Sequence, residues 1–304
     1  MKTRILTLVL LLSGLSAYAQ KGAEVLPFIR IDRDPATAAM ATAGTASSSG
    51  IAWSSFKNSA VIPFYQKKMD VAFSYQLWGP SSAASTNNLN LGLGYKVGDR
   101  FGISVGGAFQ MAKPYTVIEG SGNITEETFT PKDLLIGLGV GFKLTDFLSL
   151  GANLRFANQT NAEDAKLSSF GGDVFVLYRA MDALNISAGV ASLGTKAGGY
   201  GIPASVKVAA DYALGFGKSA LQADLDVDYY FSGNFGAAAG LQYGWNDMLF
   251  ARAGYRFATP ACVLPSFATL GLGVRFAGVS IDLAYLTANK ILGNTLTLGL
   301  GYSF

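Results

Sequence analysis

The end of the chain alternates with a period of two residues, and this pattern constrains the fold more than any other feature. Between Thr295 and Phe304 every second residue is large and apolar, and the residues between them are threonine, glycine or serine. Successive side chains of a β-strand point to opposite faces, so the segment predicts a strand with one apolar face and one small, polar face. A face so rich in glycine opposite one so uniformly apolar favours a lipid-facing strand over a strand of a soluble sandwich.

The same unit of ten to fourteen residues recurs from Met69 to the C-terminus. We therefore predict an all-β fold, a transmembrane outer-membrane β-barrel of about fourteen antiparallel strands, an even number as in bacterial barrels. The predicted strands are 69–79, 86–97, 100–112, 132–144, 147–158, 167–179, 183–193, 204–215, 219–231, 235–245, 248–258, 266–277, 279–287 and 294–304.

The connections between these strands alternate in length. Tight turns are predicted at Gly98-Asp99, Thr145-Asp146, Met181-Asp182 and Asn246-Asp247, and longer links at 113–131, 158–166, 194–203 and 259–265. Outer-membrane barrels have short periplasmic turns and longer outer loops, which predicts that both termini lie on the periplasmic side.

Composition agrees with a barrel and excludes several kinds of chemistry. Only 14% of the residues are charged and the mean hydropathy is +0.31, whereas soluble domains carry about 25% charged residues. The chain has no histidine, which excludes Ser-His-Asp hydrolysis and the common catalytic zinc sites. The single cysteine, Cys262, cannot form an internal disulfide, and a net charge of +3 gives no argument for nucleic acid. We expect a protein that is not an enzyme and has no cofactor, no metal and no nucleic-acid partner.

Residues 1–19 have the pattern of a secretory signal peptide. Lys2 and Arg4 precede a short apolar core, and Ala17-Tyr18-Ala19 predicts cleavage before Gln20. The alternative is the start of a buried helix. Together with a barrel, a signal peptide predicts localisation in the outer membrane, and Gln20 in place of a cysteine argues against a lipoprotein anchor.

Residues 20–68 do not alternate and are interpreted as a hatch or plug inside the barrel. The barrel itself is formed by residues 69–304. Asp34 and Pro35 predict the capped start of a short helix that runs through Met40, followed by small residues and then by Trp53. A barrel of fourteen strands leaves room for such a segment. The alternative is a disordered periplasmic leader.

If the two-residue alternation is extended along each strand, every second residue faces the lumen, and we call this assignment strand parity. It places twelve charged side chains inside the lumen. The balance of six basic and six acidic positions favours a structural network of salt bridges across the lumen over a selectivity ring of one sign. A ligand-orienting or gating role and an acidic metal site at Asp224, Asp226 and Asp228 are alternatives, although spacing along one strand spreads metal ligands apart. The twelve residues are Arg155, Asp173, Arg179, Lys207, Asp211, Asp224, Asp226, Asp228, Arg252, Arg256, Arg275 and Asp282.

Many other inward positions are glycines, which permit close backbone approach. Such a smooth wall can seat a plug or line a narrow passage. These inward glycines are Gly92, Gly94, Gly102, Gly106, Gly137, Gly139, Gly141, Gly151, Gly271 and Gly273.

Several motifs, spread in order over nearly all of the mature chain, resemble the PorV/PorQ family. They are Pro27-Phe28-Ile29-Arg30-Ile31 with Asp34 to Met40 and Ala43-Gly44, Phe147 to Gly151, Leu184 to Gly189, Phe250 to Tyr255, and Asp282 to Tyr285. The resemblance implies a fourteen-stranded barrel similar to long-chain fatty acid transporters, with a short N-terminal hatch. PorV-like members belong to the type IX secretion machinery of Bacteroidetes and hold cargo through its C-terminal signal domain.

Two departures bear on that role. The family's Trp-Asn-Pro-Ala segment is replaced by Trp53 and, four residues later, Asn58-Ser59-Ala60, so that the hatch anchor is altered. The link at Ser232 to Asn234 is a tight turn where PorV carries a long outer excursion, which predicts reduced cargo-holding loops.

Two functions follow from these observations. The first is a non-enzymatic, secretion-associated barrel that binds cargo or other secretion components at its outer rim. The alternative is a passive channel for small hydrophobic molecules. In both cases the expected partners include outer-membrane lipid and the barrel assembly machinery, because the chain ends in an aromatic residue, Phe304, as barrel C-terminal strands do.

Overall fold

The computed structural model describes residues 24–80, 85–118, 124–287 and 294–304. Fourteen antiparallel strands form a closed barrel in which neighbours in sequence are neighbours in space, and the last strand pairs with the first. The barrel strands are β1 (Met69–Trp78), β2 (Thr86–Val97), β3 (Phe101–Ala112), β6 (Lys132–Thr145), β7 (Leu148–Ala162), β8 (Ala165–Met181), β9 (Leu184–Gly194), β10 (Ser205–Phe216), β11 (Ser219–Tyr230), β12 (Phe235–Trp245), β13 (Leu249–Ala258), β14 (Phe267–Phe276), β15 (Val279–Thr287) and β16 (Thr295–Ser303). The predicted fold class and each predicted strand are confirmed.

Two of the predicted links are partly or wholly strand. The predicted loop at 158–166 is wrong, since β7 and β8 remain paired up to Ala162 and Ala165. The link 113–131 contains a separate two-stranded sheet of β4 (Tyr115–Ile118) and β5 (Ile124–Phe129). Alternation of apolar residues stops where a strand leaves the lipid, but backbone groups continue to pair, so the sequence pattern underestimates strand length there.

The two ends of the barrel differ. At one end, which we call the turn end, the strands are joined by the short connections 98–100, 146–147, 182–183, 217–218, 246–248 and 277–278. At the other, the loop end, lie the connections 79–85, 113–131, 163–164, 195–204, 231–234, 259–266 and 288–294. The chain enters β1 and leaves β16 at the turn end, where Asp70 pairs with Ser303.

The outer surface of the barrel is apolar. Leu154 and Phe276 are each 69% exposed, and Phe170 is 66% exposed. The aromatic residues Trp245 and Phe257 also lie on this surface. A continuous apolar exterior around a polar interior is the arrangement of a barrel that spans a membrane. In the described ranges, no helix has the length and apolar character needed to cross a bilayer.

Residues 24–68 run through the interior as turns and short helices. They form 3-10 helices at Pro27–Arg30, Ser54–Phe56 and Ser59–Phe64 and an α-helix at Pro35–Ala38. Asp34 caps the α-helix by accepting from the amide of Ala36 at 3.0 Å, as predicted, although the helix ends before Met40. Val25 donates to Gly201 near the loop end, and Lys96 near the turn end donates to the carbonyl of Tyr65. The predicted signal peptide and its cleavage site lie outside the described residues.

Candidate functional site

Glycines of the barrel wall lie directly against the backbone of residues 24–68. A Cβ atom on Gly151 would lie 2.7 Å from the carbonyl carbon of Ser59 and 2.8 Å from the Cα of Ala60. A Cβ on Gly94 would lie 2.8 Å from the carbonyl carbon of Ile51, and one on Gly254 would overlap the backbone of Met40. The absence of side chains at these inward positions therefore permits this close approach.

Two wall carboxylates hold this segment by its backbone. Asp226 on β11 accepts from the amides of Gly44 at 3.1 Å and Thr45 at 3.2 Å, and from the Thr45 hydroxyl. Asp70 on β1 accepts from the consecutive amides of Ile51 at 2.8 Å and Ala52 at 3.0 Å. Sequence reasoning missed Asp70, although strand parity, extended to β1, would have placed it inside with Ser74 and Gln76.

The charged residues of the wall form separate groups. Arg155 pairs with Asp173, and Arg252 pairs with Asp282 at 2.6 Å. Lys207 lies 3.1 Å from Asp226 and 3.5 Å from Asp228, and Arg256 lies 3.6 Å from Asp228.

The remaining four predicted residues make no ion pair among the described residues. Arg179 lies over the ring of Phe64 at 4.4 Å, and Arg275 lies over the ring of Phe250 at 4.9 Å. The ion pairs of the predicted network therefore fall into local groups, because pairing depends on strand register and on residues of the interior segment. Amide side chains join some of these groups, since Gln242 accepts from Arg252 at 2.6 Å and donates to Gln222 at 3.0 Å.

Asp211 and Asp224 are direct neighbours across β10 and β11, and both are buried. Both accept from the Gln222 amide, at 2.8 Å and 2.9 Å, and Asp211 also accepts from Asn185 at 3.0 Å. In the part of the chain that the structure describes, no donor lies within hydrogen-bond distance of Oδ1 of Asp224. Among the described residues no group of three or more His, Cys, Asp or Glu could hold a metal ion, so nothing there supports the alternative of a metal site at Asp224, Asp226 and Asp228.

Three of the four predicted hatch residues lie against glycines of the wall, and the fourth, Asp34, caps the short helix. A Cβ on Gly299 would overlap the ring of Pro35, and one on Gly240 would overlap Met40. Trp53 is buried beside Gly92. Burial raises the pKa of Asp34 to about 6, against the opposing effect of Lys57.

Three basic residues of the interior segment were not predicted as site residues. Arg30 lies 3.7 Å from Asp228, and Lys57 lies 3.2 Å from Asp32. Arg33 is buried, donates to the carbonyls of Ile31 and Phe28, and stacks over the ring of Phe56 at 4.9 Å. Burial, followed by the neighbouring charge of Arg155, lowers the pKa of Arg33. Their sequence signal was weak because residues 20–68 have no strand parity from which an orientation could be read.

An apolar cluster closes the interior near the loop end. It is built from Leu26, Phe28, Ile29 and Ile31 of the interior segment. Its wall and loop members are Ala108, Leu135, Ala157, Ala197 and Ile202, with Val25, Phe56, Trp78 and Leu167 packed against them. Charged residues of the wall also lie near this end, since Lys207, Asp228 and Arg256 are each two residues from the loop end of their strands.

Solved structures with similar folds are outer-membrane barrels and hydrocarbon channels. A Pseudomonas aeruginosa FadL homologue is 13% identical with a TM-score of 0.57, over 89% of this chain and 98% of that one. The monoaromatic hydrocarbon channel CymD is 16% identical with a TM-score of 0.59, over 93% and 99%. The Pseudomonas putida toluene transporter TodX is 14% identical with a TM-score of 0.58, over 88% and 97%.

No family model and no curated protein sequence matches the chain. At these identities the likeness establishes the fold alone. It confirms the expected similarity to fatty-acid-transporter-type barrels, while the finer resemblance to PorV/PorQ proteins stays a prediction.

Proposed function

We propose that the protein is a passive outer-membrane channel for small hydrophobic molecules, with residues 24–68 as its plug. The observation that carries this proposal is the apolar cluster near the loop end. The side chains of Leu26, Phe28 and Ile29 are buried while the plug is seated. Once the plug moves, an entering hydrophobic molecule would exchange water for these side chains, which is favourable at about 25 cal/mol per Å² of buried apolar surface. The FadL homologue, CymD and TodX support the same choice between the two functions expected from the sequence.

Passage through the barrel would require the interior segment to move. Two of the cavities beside it have volumes of about 60 and 70 Å³, whereas an engineered cavity of about 150 Å³ in another protein binds benzene. The plug would therefore have to leave part of its seat before even a single aromatic ring could pass.

A reversible crosslink between plug and wall tests this mechanism. The hydroxyls of Ser59 and Ser104 lie 3.2 Å apart, so these two side chains point toward each other, as the sulfur atoms of a disulfide must. In a Cys262→Ser background, we expect oxidised Ser59→Cys/Ser104→Cys barrels to lose at least roughly nine-tenths of toluene and oleate uptake. Reduction should restore it.

The matched controls are the two single-cysteine variants, which cannot crosslink and should transport in both redox states. Uptake by the reduced barrel no faster than that of cells lacking the protein would refute a channel. Equal uptake by the crosslinked and reduced barrels would refute a moving plug.

The second candidate is the secretion role implied by the resemblance to PorV/PorQ proteins. The motifs from Pro27 to Gly44 favour it, and the short connection 231–234 leaves little loop for holding cargo. Affinity purification of the native barrel should then recover secreted proteins that share a C-terminal domain. Recovery of none, from a strain with a type IX secretion machinery, would eliminate this candidate.

A further inference from the structure

One cavity between the plug and the barrel wall is lined by more cations than carboxylates. Its volume is about 60 Å³, several times the roughly 10–15 Å³ that one water molecule needs. Its basic residues are Arg30, Arg33, Lys57, Arg155, Lys207 and Arg256. Asp32 and Asp228 are the carboxylates that line it. We call it the arginine cavity.

Three of the six cations have carboxylate partners at close range. Arg155 pairs with Asp173, which lies behind the cavity wall. Lys207 donates to Asp226 at 3.1 Å, and Lys57 donates to Asp32 at 3.2 Å. These carboxylates are therefore already engaged.

The other three cations are Arg30, Arg33 and Arg256, and among the described residues Asp228 is the one carboxylate within 4 Å of any of them. Asp228 lies 3.7 Å from Arg30 and 3.6 Å from Arg256, too far for hydrogen bonds, and it also faces Lys207. Arg33 forms no ion pair within the described residues. Glu24 also attracts Arg30, but it does not line the cavity.

The hydrogen-bond donors of these arginines are also incompletely used. The Nε atoms of Arg30, Arg33 and Arg256 are all buried and have no hydrogen-bond acceptor among the described residues. A buried donor of a charged group without an acceptor has lost its hydration and gained no hydrogen bond in return, which is unfavourable. Three residues around one cavity have such a donor, and the cavity also has an excess of positive charge. Both observations favour the binding of an acceptor that carries negative charge.

We propose that the arginine cavity binds one oxyanion, either a phosphate-sized ion or a carboxylate group. Guanidinium groups match the oxygens of both anions with paired N–H donors. Arg30 and Arg33 belong to the plug, whereas Arg256 and Lys207 belong to the wall, so the anion joins plug to wall and holds the plug in its seat. This inference is independent of the proposed channel function, which could be correct with or without an anion.

Anion binding to the full mature barrel in detergent tests the proposal. At constant ionic strength, replacing chloride by phosphate or acetate should raise the Tm by roughly 4 °C at saturation and slow proteolysis within residues 24–68. Octanoate is a third ligand in the test. A shift with octanoate but not with acetate or phosphate would assign the site to the carboxylate of a longer amphipathic molecule.

Arg33→Gln should abolish the shift, because it removes the one cation of the cavity that forms no ion pair with another described residue. Arg179→Gln is the matched control, since Arg179 also stacks on an aromatic ring and has an unpartnered Nε but does not line the cavity. It should retain the full shift. Absence of a shift in the wild-type barrel with all three anions overturns the proposal, as does an equal shift in Arg33→Gln.

Discussion

Asp226→Asn is expected to unseat the plug. The carboxylate is fully buried and accepts two backbone amides and a hydroxyl of the plug, and it pairs with Lys207. Loss of one partner of a buried ion pair costs about 3–5 kcal/mol, which corresponds to roughly two to four orders of magnitude in the population of the unseated plug. Amide hydrogen exchange at Gly44 and Thr45, measured in the detergent-solubilised barrel, should accelerate accordingly.

Asp224→Asn is the matched control for this substitution. Asp224 lies two residues away on the same face, but it faces Asp211 and has no cationic partner among the described residues. Replacement of one of two adjacent carboxylates by a neutral amide removes their repulsion, so Tm should stay constant or rise. Equal acceleration of exchange in both variants would show that Asp226 does not anchor the plug specifically.

Gly151→Val is expected to displace the plug while leaving the barrel closed. Even a Cβ atom at this position would lie 2.7 Å from the carbonyl carbon of Ser59, and the contact is with backbone, which cannot rotate away as a side chain can. Overpacking costs about 1–3 kcal/mol and more where the backbone must shift. Proteolysis within residues 24–68 should therefore become much faster, by about tenfold or more.

Gly107→Val controls for the loss of a strand glycine. Gly107 lies on β3, and a Cβ there would meet no atom within 4 Å. We expect this variant to keep wild-type protease resistance. If both valine variants expose the plug equally, loss of glycine from the strands is responsible, and the contact at Gly151 is not.

Most of the barrel could be predicted because its information is local. Alternation of large and small residues fixes which face of each strand is apolar, and that rule located all fourteen strands, for example Thr295–Ser303. The same rule failed at 158–166, where polar residues continue the strand pairing beyond the apolar surface of the barrel. The alternation of apolar and polar residues indicates which residues face lipid, so it cannot predict strand pairing outside the lipid.

The candidate site was predictable only in part. Parity placed Asp226 and Arg256 inside the lumen, but it could not show that Asp226 binds Gly44, which is distant in sequence. Arg33 was not recognised at all, because its burial depends on the path of the plug and not on a strand pattern.

The sequence by itself determined an antiparallel barrel with an apolar exterior, a charged interior and an irregular N-terminal segment. These features follow from composition and from the two-residue period of a strand. Only the tertiary structure decided which charges pair, where the glycines of the wall contact residues 24–68, and that three arginines line one cavity. The physical reason is that each of these depends on strand register and chain path, which bring together residues such as Arg33 and Arg155 from distant parts of the chain.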